Sequence, residues 1–299
     1  MPSAIGLKID VDTHDGMRDG VPRLLALLRR RGVRATFFLV LGPDRMGRAL
    51  LQLRRPRFLQ KMLLTGAPSL YGWRTTLSGT LLPARPVATA FPDLVRRIEA
   101  EGHEAAVHAW DHRAWQDELD SFSDHRIRRH LERACTAFRA LTGHDPVGIG
   151  APAWTTNPRS LAIQDGFPFR YASDLRGGPP CRLRTPLGVH RLPQLPGTGR
   201  CVEELLGRGV RDHAALAAGV VLTGLIGATP VLTLHAEVEG GPYLPVLEHL
   251  LDQWDQQGLL PRLRPCAEIV AGLGERLPVR TWCRRRLPGR AFPVSASIR

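Results

Sequence analysis

The chain has 299 residues, 43% hydrophobic and 23% charged, a composition that is typical of a globular protein and argues against wholesale disorder. A single domain of the α/β-barrel type can reach this length. The formal net charge of +13 predicts a polyanionic partner, either nucleic acid, an anionic membrane or a phosphorylated substrate. No zinc-finger spacing or RRM-type aromatic motif supports nucleic acid. Five cysteines without a C-x-x-C pair, and no signal-peptide pattern, predict a cytoplasmic protein with free thiols.

Strands and helices are predicted to alternate along the chain. Residues Ile5–Val11 have a period of two, with apolar residues on one face and polar residues on the other. A helix over Val21–Arg31 stops at Gly32, and a buried strand over Ala35–Leu41 follows. The later elements are a helix at Asp93–Glu101, a strand at Glu104–Val107, a helix at Asp124–Leu141, strands at Val147–Gly150 and near Phe169–Ala172, a helix at Arg211–Ile226, a strand at Val231–Leu234, a helix at Tyr243–Gln257, a strand near Leu260–Leu263 and a helix at Ala267–Leu277. This order predicts an α/β fold with a parallel sheet, and about seven strands predict a closed or distorted barrel.

Two segments interrupt the alternation. Asp44–Pro92 is a long insertion in which basic and apolar residues are interleaved, and Pro56 is expected to divide it into two short helices. Such a segment suits the headgroup region of an anionic membrane, although a helical hairpin packed on the barrel is the alternative. The membrane contacts are assigned to Arg54, Arg55, Arg57, Lys61 and Trp73. Residues 278–299 are predicted to be a basic tail after a domain of residues 1–277.

Three polar clusters follow predicted strands. Asp10 and Asp12 are two residues apart, roughly 7 Å along a strand, and two carboxylates so close favour a cation between them or one shared proton. His108 and His112 have a spacing that can present two ring nitrogens to one metal ion. His235 ends an apolar strand. Each cluster alone also has an ordinary explanation, as a cap, a chance pair or a structural histidine.

The presence of all three clusters in one chain favours a catalytic site over these ordinary explanations, because α/β barrels bring the ends of their strands together at one face. Two histidines and one carboxylate leave coordination positions open for water, as a catalytic metal site requires. One carboxylate and one histidine then remain to act as base and acid. The sequence therefore predicts metal-assisted hydrolysis.

These clusters resemble the first, second and fifth motifs of the polysaccharide deacetylases, the NodB-homology family. The resemblance runs from Ile5 to about Leu277, with the motifs in the family's order. It implies a distorted (β/α) barrel with a helical insertion. It also implies that Asp10 is the general base and His235 the general acid. The implied ligands of a divalent metal ion (zinc, manganese or cobalt) are Asp12, His108 and His112.

Several longer phrases resemble one group within this family, the deformylases of 4-deoxy-4-formamido-L-arabinose-phosphoundecaprenol. They begin at Ile9, Gly20, Gly42, Ser69, His108, Ser173 and His235. The resemblance implies an undecaprenyl-phosphate-linked amino sugar as substrate and a role in lipid A modification and polymyxin resistance. It also implies a peripheral location on the cytoplasmic face of the inner membrane, with no nucleic-acid partner.

One motif departs from the family. Many members carry an arginine in the third motif that pairs with the catalytic carboxylate, whereas Gly150–Trp154 here contains none. Lys8 or Arg176 is the candidate to orient Asp10 in its place. The resemblance also suggests substrate contacts from Trp154, Asp174 and Arg176.

Three other functions share part of this pattern. A deacetylase of glycan amino sugars has the same constellation but is expected to be exported. A non-haem iron oxygenase uses two histidines and a carboxylate, but does not need Asp10 and His235. A basic nucleic-acid-binding module without catalysis would account for the charge alone.

Overall fold

The computed structural model describes residues 2–52, 67–225, 227, 229–274, 277–288 and 290–299. Its strands are β1 (Ile5–Val11), β2 (Thr36–Val40), β3 (Glu104–Ala109), β4 (Gly148–Ile149), β5 (Tyr171–Ala172), β6 (Cys181–Thr185), β7 (Gly188–Gln194), β8 (Val231–His235), β9 (Leu263–Arg264), β10 (Val279–Arg285) and β11 (Val294–Ile298). Its α-helices are α1 (Val21–Arg30), α2 (Ala67–Leu77), α3 (Pro92–Ala100), α4 (His112–Glu118), α5 (Asp124–Thr142), α6 (Pro158–Gln164), α7 (Val202–Leu206), α8 (His213–Gly224), α9 (Leu244–Gln256) and α10 (Cys266–Ala271). Short 3₁₀ or π turns occupy Gly16–Gly20, Met46–Gln52, Ala88–Ala90, Leu119–Ser121, Pro152–Trp154 and Leu260–Arg262.

The sheet closes on itself into the distorted barrel that the alternation predicted. Its strand order is β11-β10-β6-β7-β5-β4-β3-β2-β1-β8, and β9 pairs with the start of β1. From β7 through β5 to β8 the neighbours are parallel. The segment after β7 completes the ring, because the amide of Thr198 donates to the Val231 carbonyl of β8 at 2.7 Å. The carboxyl ends of these strands therefore meet at one mouth.

The period of two in β1 separates two buried environments. All seven residues of the strand are buried. Ile5, Leu7, Ile9 and Val11 belong to the main hydrophobic core, together with the apolar faces of helices such as α1 and α9. The polar face carries Lys8 and Asp10 into the barrel interior, where Lys8 reaches aromatic rings from other strands and loops. The polar residues of this strand are thus placed inside the molecule, which requires partners for their charges.

The C-terminal residues differ from the prediction. Residues 278–299 were expected to be a tail outside the domain, yet β10 and β11 extend the main sheet through β6. The β6–β7 hairpin was also not predicted. The expected strand near Leu260–Leu263 is a 3₁₀ turn followed by the two residues of β9. The last predicted helix ends early, at Ala271, because Gly272 and Gly274 follow and glycine disfavours helix continuation.

The insertion is described only in part. Arg54, Arg55, Arg57 and Lys61, and the proposed break at Pro56, lie outside the described residues. Helix α2 lies in the second half of the insertion, and Trp73 on it is 62% exposed. Among the residues that the structure describes, no helix combines the length and hydrophobicity needed to cross a membrane.

Candidate metal centre and active site

The three polar clusters meet at the mouth of the barrel. Asp10 in β1 and His235 at the end of β8 are register partners in the parallel pairing of these strands. Asp12 directly follows β1, His108 lies in β3, and His112 is the first residue of α4. Asp111 caps that helix by accepting a hydrogen bond from the Ala114 amide at 2.9 Å, which fixes where α4 and its first residue begin. Sequence spacing and sheet topology therefore bring the predicted site together.

Asp12, His108 and His112 have the arrangement of a metal-ligand triad. The Nε2 atoms of His108 and His112 lie 3.2 and 3.3 Å from the two carboxylate oxygens of Asp12. One ligand atom from each of the three buried residues lies within 4.8 Å of the other two. Such a set can close around one divalent ion and still leave positions for water and substrate.

The surroundings of the triad fit a metal ion. His108 Nδ1 lies 2.7 Å from the Gly150 carbonyl, so Nδ1 carries the proton and Nε2 is free to coordinate. Burial lowers the pKa of His112 to about 4, which leaves this ring neutral at pH 7. Asp12 Oδ1 is buried without a well-formed hydrogen bond among the described residues. A buried carboxylate oxygen that lies beside imidazole nitrogens and lacks a hydrogen bond is best satisfied by a cation.

Lys8 orients the proposed base. Its Nζ lies 3.2 Å from Asp10 Oδ2, and both side chains are almost completely buried. The ammonium group also lies over the rings of Phe38 and Trp154, at 4.8 and 5.4 Å from their centroids. Arg176, the other candidate, forms a buried ion pair with Glu204 instead. Of the two candidates for the missing arginine, the structure therefore selects Lys8.

Gly150 leaves room for Lys8 and accepts the hydrogen bond that orients His108. A Cβ atom at this position would lie 2.9 Å from the Phe38 ring and 3.2 Å from Lys8 Nζ. The carbonyl of the same residue accepts the hydrogen bond from His108. Gly150 therefore contacts both the lysine that pairs with the proposed base and one of the metal ligands.

Glu203 holds and charges the proposed acid. His235 Nδ1 lies 2.8 Å from a carboxylate oxygen of Glu203, the second residue of α7. Burial opposes protonation of His235, but the carboxylates of Glu203, Asp12 and Asp10 together outweigh it, Glu203 most of all, and raise the pKa of the histidine well above its usual value. Because Nδ1 is bound to Glu203, Nε2 is the nitrogen available to donate a proton. Sequence reasoning missed Glu203, since an acidic residue in the first turn of a helix is commonplace.

Two further acidic residues, Glu237 and Glu239, follow His235 closely in the sequence and lie beside the site. Glu239 accepts a hydrogen bond from the His235 amide at 2.7 Å, and burial raises its pKa to about 8. Burial and the nearby Asp12 carboxylate raise the pKa of Glu237 well above its usual value. The Glu239 carboxyl group is therefore largely neutral at pH 7, and the raised pKa of Glu237 acts in the same direction, which limits the negative charge around the triad.

The three predicted substrate contacts occupy different positions. Trp154 is 2% exposed and packs against the guanidinium groups of Arg176 and Arg290. Ala153 and Trp154 both have positive φ, 51° and 53°, an uncommon backbone for such residues that clusters at functional sites. Asp174 is fully buried and accepts a hydrogen bond from the Ala151 amide at 2.8 Å. These contacts favour a supporting role for Asp174 over direct contact with substrate.

The sequence matches the polysaccharide deacetylase family over residues 11–172, more than half of its length. The chain belongs to this family, and it is an amide hydrolase of the deformylase or deacetylase type.

The chain is also similar to individual relatives. It is 37% identical over 251 residues to a Shewanella sediminis protein named as a probable 4-deoxy-4-formamido-L-arabinose-phosphoundecaprenol deformylase, ArnD, covering 83% of this chain and 80% of the relative. A relative from Wigglesworthia glossinidia brevipalpis with the same name is 28% identical, covering 92% of this chain and 96% of the relative. A solved polysaccharide deacetylase structure from Mycobacterium smegmatis superimposes with a TM-score of 0.60 at 21% identity, covering 95% of this chain and 94% of that one. The last similarity confirms the fold.

Proposed function

We propose that this protein hydrolyses the formamide of 4-deoxy-4-formamido-L-arabinose-phosphoundecaprenol, releasing formate and the 4-amino sugar lipid. The observation that carries the proposal is a complete hydrolytic site in a chain that is 37% identical, over most of its length, to a relative named for this reaction. The longer phrases that resemble this group are spread over most of the chain, which favours the formamido-arabinosyl lipid over a generic glycan.

The residues of the site divide the work of amide hydrolysis. A divalent ion held by Asp12, His108 and His112 would supply Lewis-acid chemistry that polarises the formyl carbonyl and acidifies water. Zinc, manganese and cobalt all suit this ligand set. Asp10 takes a proton from the attacking water as the water oxygen bonds to the formyl carbon. The adjacent Lys8 ammonium pairs with Asp10 at 3.2 Å and fixes its orientation.

The proposed acid, His235, protonates the leaving amine. Protonated His235 donates its Nε2 proton to the sugar nitrogen as the carbon–nitrogen bond breaks. Glu203 keeps this histidine protonated at neutral pH and fixes its ring. Formate leaves with the water oxygen, and the sugar keeps a free amine.

Mass spectrometry of the lipid-linked formamido sugar after incubation with metal-loaded protein tests the proposal. The expected product has lost its formyl group, and the His235→Ala variant, which keeps the metal ligands, forms little of it. An acetylated chitin oligosaccharide serves as the comparison substrate. Rapid deacetylation of the oligosaccharide with an untouched lipid-linked sugar would identify a glycan deacetylase instead.

We further propose that the protein docks on the cytoplasmic face of the membrane, where its prenyl-linked substrate lies. Trp73 is exposed on α2, the guanidinium of Arg74 lies 5.3 Å from its ring centroid, and aromatic and basic residues together suit the headgroup region. Trp73 and Arg74 also line a cavity of about 340 Å³ that reaches Glu237, beside Asp12. The cavity therefore extends from the exposed Trp73 to a residue next to the metal centre.

Vesicle co-sedimentation tests the docking. Binding is expected to rise with anionic lipid, to weaken with salt, and to fall when Arg54, Arg55, Arg57 and Lys61 are replaced by glutamate. A control with the same charge change replaces four exposed arginines elsewhere, namely Arg29, Arg128, Arg182 and Arg184. Equal losses in both variants would reduce the effect to net charge and remove the insertion from the proposal.

A further inference from the structure

A second cavity lies beside the metal centre, on the side of the loop that joins the two histidine ligands. It has a volume of about 650 Å³, within the range of small-molecule sites. Trp110 and Asp111 form part of its wall, and the same short segment carries His108 at one end and His112 at the other. Gly42 supports this wall, because a Cβ atom there would lie 2.3 Å from the Trp110 carbonyl oxygen. The cavity and the metal centre thus share a wall.

The charge of this cavity is strongly positive. Its lining contains four guanidinium groups and one carboxylate, that of Asp111; the arginines are Arg45, Arg126, Arg129 and Arg133. Arg45 pairs with Asp111 at 2.7 Å. His130 adds no charge, because burial lowers its pKa to about 3 and its Nε2 accepts the amide hydrogens of Trp110 and Asp111. Three arginines of one helix therefore face the cavity with little compensation from its lining.

Aromatic rings hold two of these arginines without neutralising them. The guanidinium of Arg126 lies 3.8 Å from the centroid of Phe122, and that of Arg133 lies 4.1 Å from the centroid of Trp110. Arg126 also reaches Glu118 at 2.7 Å. The ion pairs among the described residues include neither Arg129 nor Arg133. A guanidinium fixed on an aromatic face keeps its donors available for an anion.

We propose that this cavity binds the phosphate group that links the sugar of the substrate to its lipid, and so places the formamide at the metal centre. The inference rests on the proposed function, which supplies a sugar bonded to a phosphate. Arginine clusters recognise phosphate oxygens through paired N–H donors. The convergence of the arginines on one cavity and the wall shared with the metal centre favour a phosphate of the substrate over a flat bilayer surface.

Kinetics with two matched substrates test the inference. One is the formamido-arabinosyl phosphate of a short, water-soluble prenyl alcohol, and the other is a methyl formamido-arabinoside without phosphate. The Arg129→Glu/Arg133→Glu variant is expected to raise KM for the first substrate by about tenfold or more, while kcat and metal content stay near the wild-type values. The second substrate is expected to respond equally in variant and wild type. The matched control is Arg29→Glu/Arg128→Glu, which changes two exposed helical arginines, one in α1 and one in α5, that do not line the cavity.

Direct binding separates this inference from the proposed function. Calorimetry with geranyl phosphate needs no turnover, and wild-type and control proteins are expected to bind it at least about tenfold more tightly than the double variant. Binding of this kind without deformylation would retain the phosphate site and reject the reaction. Unchanged KM and unchanged geranyl phosphate binding would overturn the inference. So would a loss confined to binding of phosphatidylglycerol vesicles, which would make the cavity a membrane contact.

Discussion

The pairing of His235 with Glu203 predicts a specific change in the pH dependence of the reaction. His235 acts as the acid, so activity is lost as pH rises through its pKa, which Glu203 raises well above the usual value. Glu203→Gln removes the negative charge but keeps the shape and a hydrogen-bonding group. The pKa of His235 then falls, and the alkaline side of the pH–rate profile moves to lower pH.

The size of the shift follows from the geometry. At 2.8 Å and an effective dielectric constant of about 20, the attraction between the two charges is about 6 kcal/mol. Part of this is offset by the desolvation of two side chains that are only 13% and 8% exposed. Charged pairs of this kind are worth about 2 to 5 kcal/mol, so about 3 kcal/mol is expected to be lost. At 1.36 kcal/mol per unit, the alkaline limb moves down by about 2 pH units.

The assay is kcat/KM for deformylation against pH, measured with metal-loaded protein. Glu204→Gln provides the control, because Glu204 is the next residue on the same helix but pairs with Arg176 and Arg290. Its alkaline limb is expected to stay where the wild type has it. An unmoved limb in Glu203→Gln, or an equal shift in both variants, would refute the assignment of His235 as the acid charged by Glu203.

The other predictions concern the metal ligands and the support of the base. The variants Asp12→Ala, His108→Ala and His112→Ala are expected to lose both bound metal and activity. Asp10→Asn is expected to keep its metal and lose most of its rate. Elemental analysis, carried out beside the activity assay, separates the two groups. Lys8→Met leaves the buried Asp10 carboxylate unpaired and is expected to lower the free energy of unfolding by about 3 to 5 kcal/mol, as measured by denaturant titration. The double variant Lys8→Met/Asp10→Asn is expected to recover part of this loss. Gly150→Ala places a Cβ atom 2.9 Å from the Phe38 ring and is expected to disturb the hydrogen bond between the Gly150 carbonyl and His108. Metal affinity is then expected to fall by about tenfold. Wild-type affinity in a competition titration would contradict this link between Gly150 and the metal site.

The barrel and the catalytic cluster could be predicted because their signals are local. A period of two in β1 identified the strand, and the spacings of Asp10 to Asp12 and His108 to His112 identified the polar groups that follow strands. Parallel pairing then brings these groups to one mouth, as the register of Asp10 with His235 confirms. The sequence also allowed Lys8 to be named as a candidate partner of Asp10, because the two residues lie on the same face of one strand.

The parts that could not be predicted depend on contacts distant in sequence. The Arg-rich β10 has weak alternation and half-exposed residues, and only its pairing with β6 and β11 makes it a strand. In β11, small side chains are buried, and Ser295 Oγ accepts a hydrogen bond from the Thr156 amide at 3.0 Å. Glu203 reaches His235 across 32 residues of chain, so its role follows only from the folded structure. The same holds for the arginines of α5, whose spacing shows a common helix face but not the cavity beside it.

Formate release from 4-deoxy-4-formamido-L-arabinose-phosphoundecaprenol tests the central claim most directly. The protein is stripped with a chelator, reloaded with zinc, manganese or cobalt, and incubated with the lipid-linked sugar while formate and the free amine are quantified. Negligible release by the stripped protein, with formate and amine appearing in equal amounts after reloading, is the predicted result. Full activity in the stripped protein would contradict the metal centre of Asp12, His108 and His112, and no formate from any reloaded sample would contradict the proposed reaction.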